Sequence, residues 1–481
     1  MNVNRQANRC TMEKKDKIRF FDSLAPKLDV YKSRNKYYNQ DIETFLKTII
    51  PPNRKILEIG SATGNLLNSL EPSYGVGVDI SPKMISIARE KFKHLKFESM
   101  DAENLRLNTK FDYIVMSDLI GNLSDVWQSF RELHKVCDEN TKVVITYYNY
   151  LWQPLLKIAE VMGLKTPLKE QNWLFVQDIE NLLYLNNFKV IRSGHRILIP
   201  KYIPLVSTFL NKFLAKLPLI RRLCMVQYII ARKEMKILKL GNHTVTILMP
   251  CRNEKGNIEE GVRRIPKFGM HQEIIFVDGN STDGTVNEIK KVMRKYRGKD
   301  IKFIPQGNGK GKGDAVRKGF LKASGDILMI LDADLTVPPE DLPKFYLTLV
   351  EGKAQFANGS RLVYPMEKEA MRYLNLFGNW MFGKAFSWIM EQRVRDTLCG
   401  TKVLFRKDYM VLKEYRQYFN NMDPFGDFDL LFGASKMNLD IAEIPIGYRE
   451  RKYGETKLRR FRHGWVLIKM CWLGIRKLKF N

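Results

Sequence analysis

Two carboxylates one residue apart, Asp332 and Asp334, close the apolar run DILMIL at 326–331. An acid pair just past a buried strand can share one divalent cation, and such a cation can clamp a diphosphate. Asp-x-Asp alone is common, so its meaning rests on what precedes it. ILMPCRNEKGNI (247–258) has a strand pattern that breaks at Pro250 into a polar turn with Arg252, Asn253 and Glu254. EIIFVDGNSTDGT (273–285) is a second strand ending in Asp278, with Asp283 placed to cap the next helix. GNGKGKGDAVRKGF (307–320) is a glycine-rich loop opening a helix. Its backbone N–H groups, with Lys310, Lys312 and Arg317, suit phosphate. The four elements in this order point to a nucleotide-sugar site in the C-terminal half.

The N-terminal half carries a different constellation. After the strand KILEI (55–59) comes Glu58-Ile59-Gly60-Ser61-Ala62-Thr63-Gly64, whose small residues let a ligand approach the backbone. A second strand ends in Asp79, suited to ribose hydroxyls, and a third is followed by Asp101, within reach of an adenine amino group. A dinucleotide fingerprint needs G-x-G-x-x-G to admit a pyrophosphate. Here Ala62 breaks that pattern and Glu58 would repel a pyrophosphate. An acid at Glu58 suits a cationic ligand such as S-adenosylmethionine. Asp118, His134 and Tyr150 are possible bases for a hydroxyl acceptor, each with a structural alternative.

Both sites sit on βαβ rhythms. The runs KILEIG, GVGVDI, FDYIVMSD and KVVITYY form one series, and TVTILMP, EIIFVDG, IKFIP and DILMILD another, with helical patterns between them. The segment KEMKILKLGN (233–242) separates the two series. The expected class is α/β in two domains. These are a Rossmann-like domain at 1–236 and a second nucleotide-binding domain at 237–458, with a basic amphipathic tail at 459–481.

The first motif, over about residues 20–233, resembles the E/D-x-G-x-x-x-G signature of class I methyltransferases. The resemblance implies that Glu58, Gly60 and Gly64 border the methionine moiety of S-adenosylmethionine, Asp79 its ribose and Asp101 its adenine; Ala62 stands where the family usually has Gly. From about Thr244 onward the chain resembles family-two glycosyltransferases of the GT-A fold. By that resemblance Pro250, Glu254 and Asp278 border nucleobase and ribose, and Arg252 and Lys312 are counted with the nucleotide-sugar site. Asp332 and Asp334 would hold Mg²⁺ or Mn²⁺ on the donor diphosphate.

Later motifs narrow the resemblance. Asn358-Gly359-Ser360-Arg361, Asp396-Thr397-Leu398-Cys399-Gly400-Thr401-Lys402 and Tyr453-Gly454-Glu455-Thr456-Lys457 resemble the polyprenyl-phosphate branch, which includes dolichyl-phosphate glucosyl- and mannosyltransferases. That branch often has an aromatic at the position of Thr401 and Ser at that of Thr456. The resemblance implies Arg361 and Arg372 on the acceptor phosphate, and Arg451 and Lys457 on the donor diphosphate. The Gln-x-x-Arg-Trp signature of processive synthases is absent. A lipid phosphate needs no general base, whereas a sugar hydroxyl would. Asp427 and Asp429 are the candidates for that catalytic role.

Net charge is +28, from 80 basic against 52 acidic residues, a field that favours polyanions. No nucleic-acid recognition motif accompanies it. Instead, MRYLNLFGNWMFGKAFSWIM (371–390), RRFRHGWVLIKMCWLGIRKLKF (459–480) and, more weakly, 202–232 pair Trp and aliphatic residues with cations. Such helices lie on anionic membrane surfaces. The six cysteines are scattered without a C-x-x-C pair, which argues against a zinc site or a disulfide framework. No secretory leader pattern opens the chain, and no window reaches the roughly 18 apolar residues of a spanning helix. The expectation is a bifunctional enzyme, peripheral on the cytoplasmic face of a membrane, taking a nucleotide-sugar donor and a lipid-phosphate or glycan acceptor. One alternative has the sugar going to a glycan or protein hydroxyl. Another makes the N-terminal domain a binding module without methyl transfer.

Overall fold

The computed structural model describes residues 14–165, 171–234, 242–309, 311–361, 373–415, 423, 426–449, 451, 453 and 460–480. The chain divides into two compact units, 1–234 and 235–481.

In the first unit seven strands form one sheet: β1 Lys55–Ile59, β2 Tyr74–Asp79, β3 Lys96–Ser99, β4 Tyr113–Ser117, β5 Lys142–Tyr148, β6 Phe188–Arg196 and β7 Val226–Lys233. Their order is β3-β2-β1-β4-β5-β7-β6. The pairs among β1–β5 are parallel, and β7 runs antiparallel to both β5 and β6. Helices are α1 Lys14–Arg34, α2 Lys36–Ile49, α3 Asn65–Ser69, α4 Pro82–Lys91, α5 Val126–Leu133, α6 Gln153–Val161, α7 Val176–Leu185 and α8 Val206–Lys212. The inner strands are buried on both faces, as expected for a parallel sheet covered by helices. Local chemistry starts the helices where the sequence asks. Ser81 Oγ accepts the Met84 N–H at 3.2 Å with Pro82 in the first turn of α4, and Asp125 caps α5.

The second unit repeats the plan with β8 Val245–Cys251, β9 Gln272–Asp278, β10 Asp300–Pro305, β11 Ile327–Ile330, β12 Phe356–Ser360, β13 Lys402–Phe405 and β14 Ile441–Pro445. The order is β10-β9-β8-β11-β13-β12-β14, with β13 antiparallel to both neighbours. Helices are α9 Ile258–Arg264, α10 Thr285–Lys295, α11 Gly311–Lys322, α12 Leu342–Val350, α13 Tyr373–Met390, α14 Arg406–Leu412, α15 Asp427–Lys436 and α16 Arg460–Gly474. In both sheets strand order reverses beside the first strand, β1/β4 and β8/β11. Crevices at such switch points, outside the carboxyl ends of the strands, are where open α/β sheets bind ligands.

The C-terminal segment is more than a surface tail. Leu467, Met470 and Leu473 of α16 lie in the core with Phe386, Ile389 and Met390 of α13, while Trp465, Ile468 and Trp472 stay exposed. Truncation at 459 would strip three core side chains, each worth about 2–5 kcal/mol. Point substitutions on the exposed face are therefore the cleaner probe. Among the described residues no helix is long and apolar enough to cross a membrane.

Candidate functional sites

In the second unit the ends of adjacent strands place the predicted residues side by side. Cys251 pairs in register with Asp278, so Pro250 and Asp278 lie at the carboxyl ends of adjacent strands, and Glu254 follows just after β8. Asp278 accepts the Ser281 N–H at 3.0 Å and the Ser281 hydroxyl, which orders the tight turn after β9. Glu254 is buried and accepts from Asn257 Nδ2 at 2.8 Å. Arg252 stands exposed at the rim. Gly256 has no side chain where Tyr453 packs: a Cβ would come 2.7 Å from its ring.

Each acid of the Asp-x-Asp pair faces a cation. Lys312 Nζ lies 2.6 Å from Asp332 Oδ1, and Arg451 Nη2 lies 2.5 Å from Asp334 Oδ2. Arg451 Nη1 also reaches Glu254 Oε1 at 3.4 Å. Asp334 Oδ1 takes the Thr336 hydroxyl at 2.9 Å. Burial pulls the Lys312 pKa down, but the charges of Asp332, Asp427 and Asp334 outweigh it and hold the ammonium above its ordinary value. Asp427 lies 3.3 Å from the fully buried Lys402, whose ammonium also donates to the Cys399 carbonyl at 2.5 Å. Asp423, which the sequence reading passed over, caps α15 by accepting the Phe428 and Asp429 N–H groups at 2.7 and 2.9 Å.

In the first unit one cavity of about 1000 Å³ is walled by Glu58, Gly60, Ala62, Asp79 and Asp101. Asp79 accepts the Ala62 and Ser81 N–H groups, both at 2.9 Å, so the same carboxylate shapes the glycine loop. Burial raises its pKa. Glu58 is buried and accepts the Leu67 N–H at 3.0 Å. Burial pushes its carboxyl up to about 8, against the opposing pull of Lys32 and that N–H. Gly60 (φ +78°) lines the cavity, whereas Gly64 does not. The open side of Gly64 is filled by Phe97, whose ring a Cβ would meet at 2.6 Å. Its role is to turn the chain into α3.

No local pattern marks the wall opposite. Helix α1 crosses the cavity and is clasped at several points, among them Lys14 to Asp101 at 2.5 Å, Lys17 to Ser124 at 2.7 Å, Asp22 to the Ser81 hydroxyl at 2.5 Å, and Asp29 to Thr63 and Asn65 at 2.8 Å. Of the three proposed bases only Asp118 faces the cavity. It takes the Tyr38 hydroxyl at 2.7 Å and holds a left-handed φ of 53°. His134 is turned to the Asn186 carbonyl and stacks on Phe188, and Tyr150 is exposed beside Phe175. Neither lines the cavity.

Residues 246–411 match glycosyl transferase family 2, and residues 31–193 match a methyltransferase domain family. A dolichol-phosphate mannosyltransferase of Pyrococcus furiosus is 38% identical over 222 residues, 45% of this chain and 59% of that relative. A dolichyl-phosphate hexose transferase of Haloferax volcanii is 32% identical over 203 residues, 41% of this chain and 81% of the relative. The chain belongs to glycosyl transferase family 2. The second unit carries that membership, and the first is the methyltransferase-type Rossmann-like fold. A solved methyltransferase of Thermotoga maritima aligns with 45% of this chain and 99% of its own at 16% identity and a TM-score of 0.36. The chain thus spans 59% of the Pyrococcus relative's length but four fifths of the Haloferax one's.

Within the family-2 unit the expected residues separate into two groups. Glu254, Lys312, Asp332, Asp334, Arg451 and Asp427 converge through their charges. Arg361 and Asp429 do not join them. The Arg361 guanidinium gives Nε and Nη2 to buried Asp396 at 2.7 and 2.8 Å, and Asp429 is buried against Arg317 at 3.4 Å. A buried carboxylate thus holds Arg361 on two nitrogens. Arg372, Lys457 and Lys310 lie outside the described residues. Among the described residues no three His, Cys, Asp or Glu side chains cluster to hold a metal, so a cation at Asp332 and Asp334 would need oxygens from the donor.

Gly400 was quoted in the sequence as part of a motif without a role. A Cβ there would collide with Asp332 Oδ2 and Lys312 Nζ. Gly400→Ala is therefore expected to reduce transferase turnover by about 10²-fold, the penalty for misplacing reacting groups by about 1 Å. Initial rates at saturating donor, with circular dichroism as a fold control, check this. Near-normal turnover would show that the acid pair tolerates displacement.

Proposed function

We propose that this chain is a bifunctional transferase of glycan or glycolipid assembly, peripheral on the cytoplasmic face of a membrane. The family-2 unit moves a sugar from a nucleotide-sugar to a polyprenyl phosphate with inversion. The first unit moves a methyl group from S-adenosylmethionine. The observation that carries the first half is the ring of paired charges at the switch point: Asp332 with Lys312, Asp334 and Glu254 with Arg451. An incoming diphosphate can take over Lys312 and Arg451, which releases both carboxylates for a cation. Mg²⁺ or Mn²⁺ held by Asp332 and Asp334 would neutralise charge developing on the leaving diphosphate. Lys312, held protonated, keeps a positive charge beside that oxygen. An acceptor phosphate is already anionic and can attack without a base, so Asp427, with two lysines close by, is left to position Lys312 and Lys402. The names of the Pyrococcus and Haloferax relatives support a dolichyl-type acceptor. The exposed Trp465, Ile468 and Trp472 of α16, with Lys469 and Arg476 beside the two indoles, support an interfacial position for this unit.

The test is transfer of label from a panel of radiolabelled nucleotide-sugars to dolichyl phosphate in vesicles, scored in the organic phase. Label that appears only on soluble glycans or proteins would sink the lipid-phosphate reading and make Asp427 a candidate base.

For the first unit the five cavity residues support a cationic nucleoside ligand. Glu58 makes a prediction with a definite sign. Its folded pKa of about 8 stands above the ordinary 4.5. Between those values the native state holds a proton that the unfolded chain has lost, so its contribution to stability falls as pH rises through that window. A sulfonium or ammonium in the cavity favours the carboxylate. Binding of S-adenosylmethionine at pH 7 should therefore release a proton, and affinity should rise with pH up to about 8. Calorimetry in buffers of different ionisation enthalpy measures the proton count, and Glu58→Gln should abolish it. Binding with no proton release would place the cation away from Glu58. Absence of binding would favour the non-catalytic module.

A further inference from the structure

The first unit exposes apolar surface that its own fold does not use. On α6, Leu155, Ile158 and Val161 face outward, Val161 at 90% exposure. In the segment 202–223, Leu205, Phe209 and Leu219 do the same, at 86% for Leu205 and 82% for Leu219. The two segments are joined at both ends. Trp152 Nε1, just before α6, donates to the Leu223 carbonyl at 2.8 Å. At the other end, Asn35 Nδ2 donates to the Leu164 carbonyl at 3.1 Å, while its Oδ1 accepts Lys201 Nζ at 2.9 Å. The two segments therefore lie side by side.

Its two segments carry mostly cations. Lys157, Lys201, Lys212 and Arg222 are exposed around it, and no acidic residue occurs between Glu180 and Glu234. On α6, Glu160 is neutralised by Lys165. Aliphatic and aromatic side chains ringed by exposed cations fit an anionic bilayer, which offers hydrocarbon and phosphate together. The face is also continuous with the cofactor cavity. Leu155, Leu164 and Lys165 from one segment, and Pro200 and Lys201 beside the other, line that cavity. A molecule standing in a membrane against this face would meet the cavity mouth directly.

We propose that the first unit docks on an anionic bilayer through α6 and residues 202–223, and that its methyl acceptor is an amphiphile presented by that bilayer. The acceptor half rests on the methyltransferase reading, whereas the docking half does not. The exposed cations draw the unit to an anionic surface, and apolar insertion adds a part that salt does not screen.

Hydrogen–deuterium exchange of the full chain separates this face from the exposed helix of the family-2 unit, because it reads each peptide. With vesicles of phosphatidylcholine and phosphatidylglycerol, exchange in 153–164 and 202–223 should slow about tenfold. Phosphatidylcholine alone should have little effect. Leu205→Glu combined with Leu219→Glu should remove the protection and leave S-adenosylmethionine binding by calorimetry unchanged. Unprotected segments in vesicle-bound protein would overturn the docking. So would protection without lipid that grows with protein concentration, which would mark a second copy as the occupant. With labelled S-adenosylmethionine and vesicles of native lipid extract, counts should enter the organic phase. Counts confined to the aqueous phase would overturn the acceptor assignment alone. A wild-type chain that fails to bind S-adenosylmethionine would remove the methyltransferase reading and the acceptor with it, whatever the exchange data say of docking.

Discussion

Asp332→Asn is expected to lower sugar transfer by about 10²–10³-fold, the scale on which loss of one preorganised charge at a reacting centre acts. Two effects combine. The substitution takes one anionic ligand from a two-carboxylate site, and it leaves the Lys312 ammonium without its nearest counter-charge at 2.6 Å. Asp427 and Asp334 still act on Lys312, so the fold should survive with little change in melting temperature. Asp334→Asn should act similarly, but there Arg451 keeps Glu254 as a second partner at 3.4 Å. Rates measured against Mg²⁺ and Mn²⁺ concentration separate binding from turnover. Wild-type activity unaffected by EDTA, or an active double variant, would remove the metal from the account.

Gly60→Val should abolish S-adenosylmethionine binding and spare sugar transfer. Gly60 adopts φ +78°, and a Cβ would lie 2.9 Å from Leu119 Cδ1. The left-handed backbone costs a β-branched residue about 1–2 kcal/mol, and the added bulk about 1–3 kcal/mol more. Because Gly60 lines the cavity, the valine also takes space from the ligand. The damage should stay local, since the two sites belong to separate sheets with separate cores. Calorimetry and the radiolabel assay on one preparation give both readouts. Loss of both activities from a folded variant would mean that the sites are coupled.

The strand ends carrying Glu58, Asp79, Asp278 and Asp332 were legible because each follows an apolar run with a short-range pattern. What the sequence hid is long-range. Nothing local marks α1 as a cavity wall, because its clasps reach from Asp22 and Asp29 to Ser81, Thr63 and Asn65, dozens of residues away. The antiparallel additions β7 and β13 were not foreseen, since their partners are set by the sheet edge rather than by the βαβ rhythm. Arg361 shows the converse. A motif arginine invites a ligand role, and only the fold shows Asp396 holding it. The C-terminal helix was seen as amphipathic, but which face meets protein was decided by α13 and α15, far away in sequence. Asp118 was weighed equally with His134 and Tyr150 because a base candidate is defined by what it faces, and spacing does not encode that.

The central claim is that one chain carries two working transferases acting at a membrane. Mass spectrometry of lipid extracts from cells with and without the chain tests it most directly. Loss of the chain is expected to remove both a polyprenyl-phosphate sugar and a methyl group on a lipid or lipid-linked glycan. Asp332→Asn should remove only the sugar and Gly60→Val only the methyl group. An unchanged lipid profile, or loss of the sugar with no methyl difference in either variant, would contradict it.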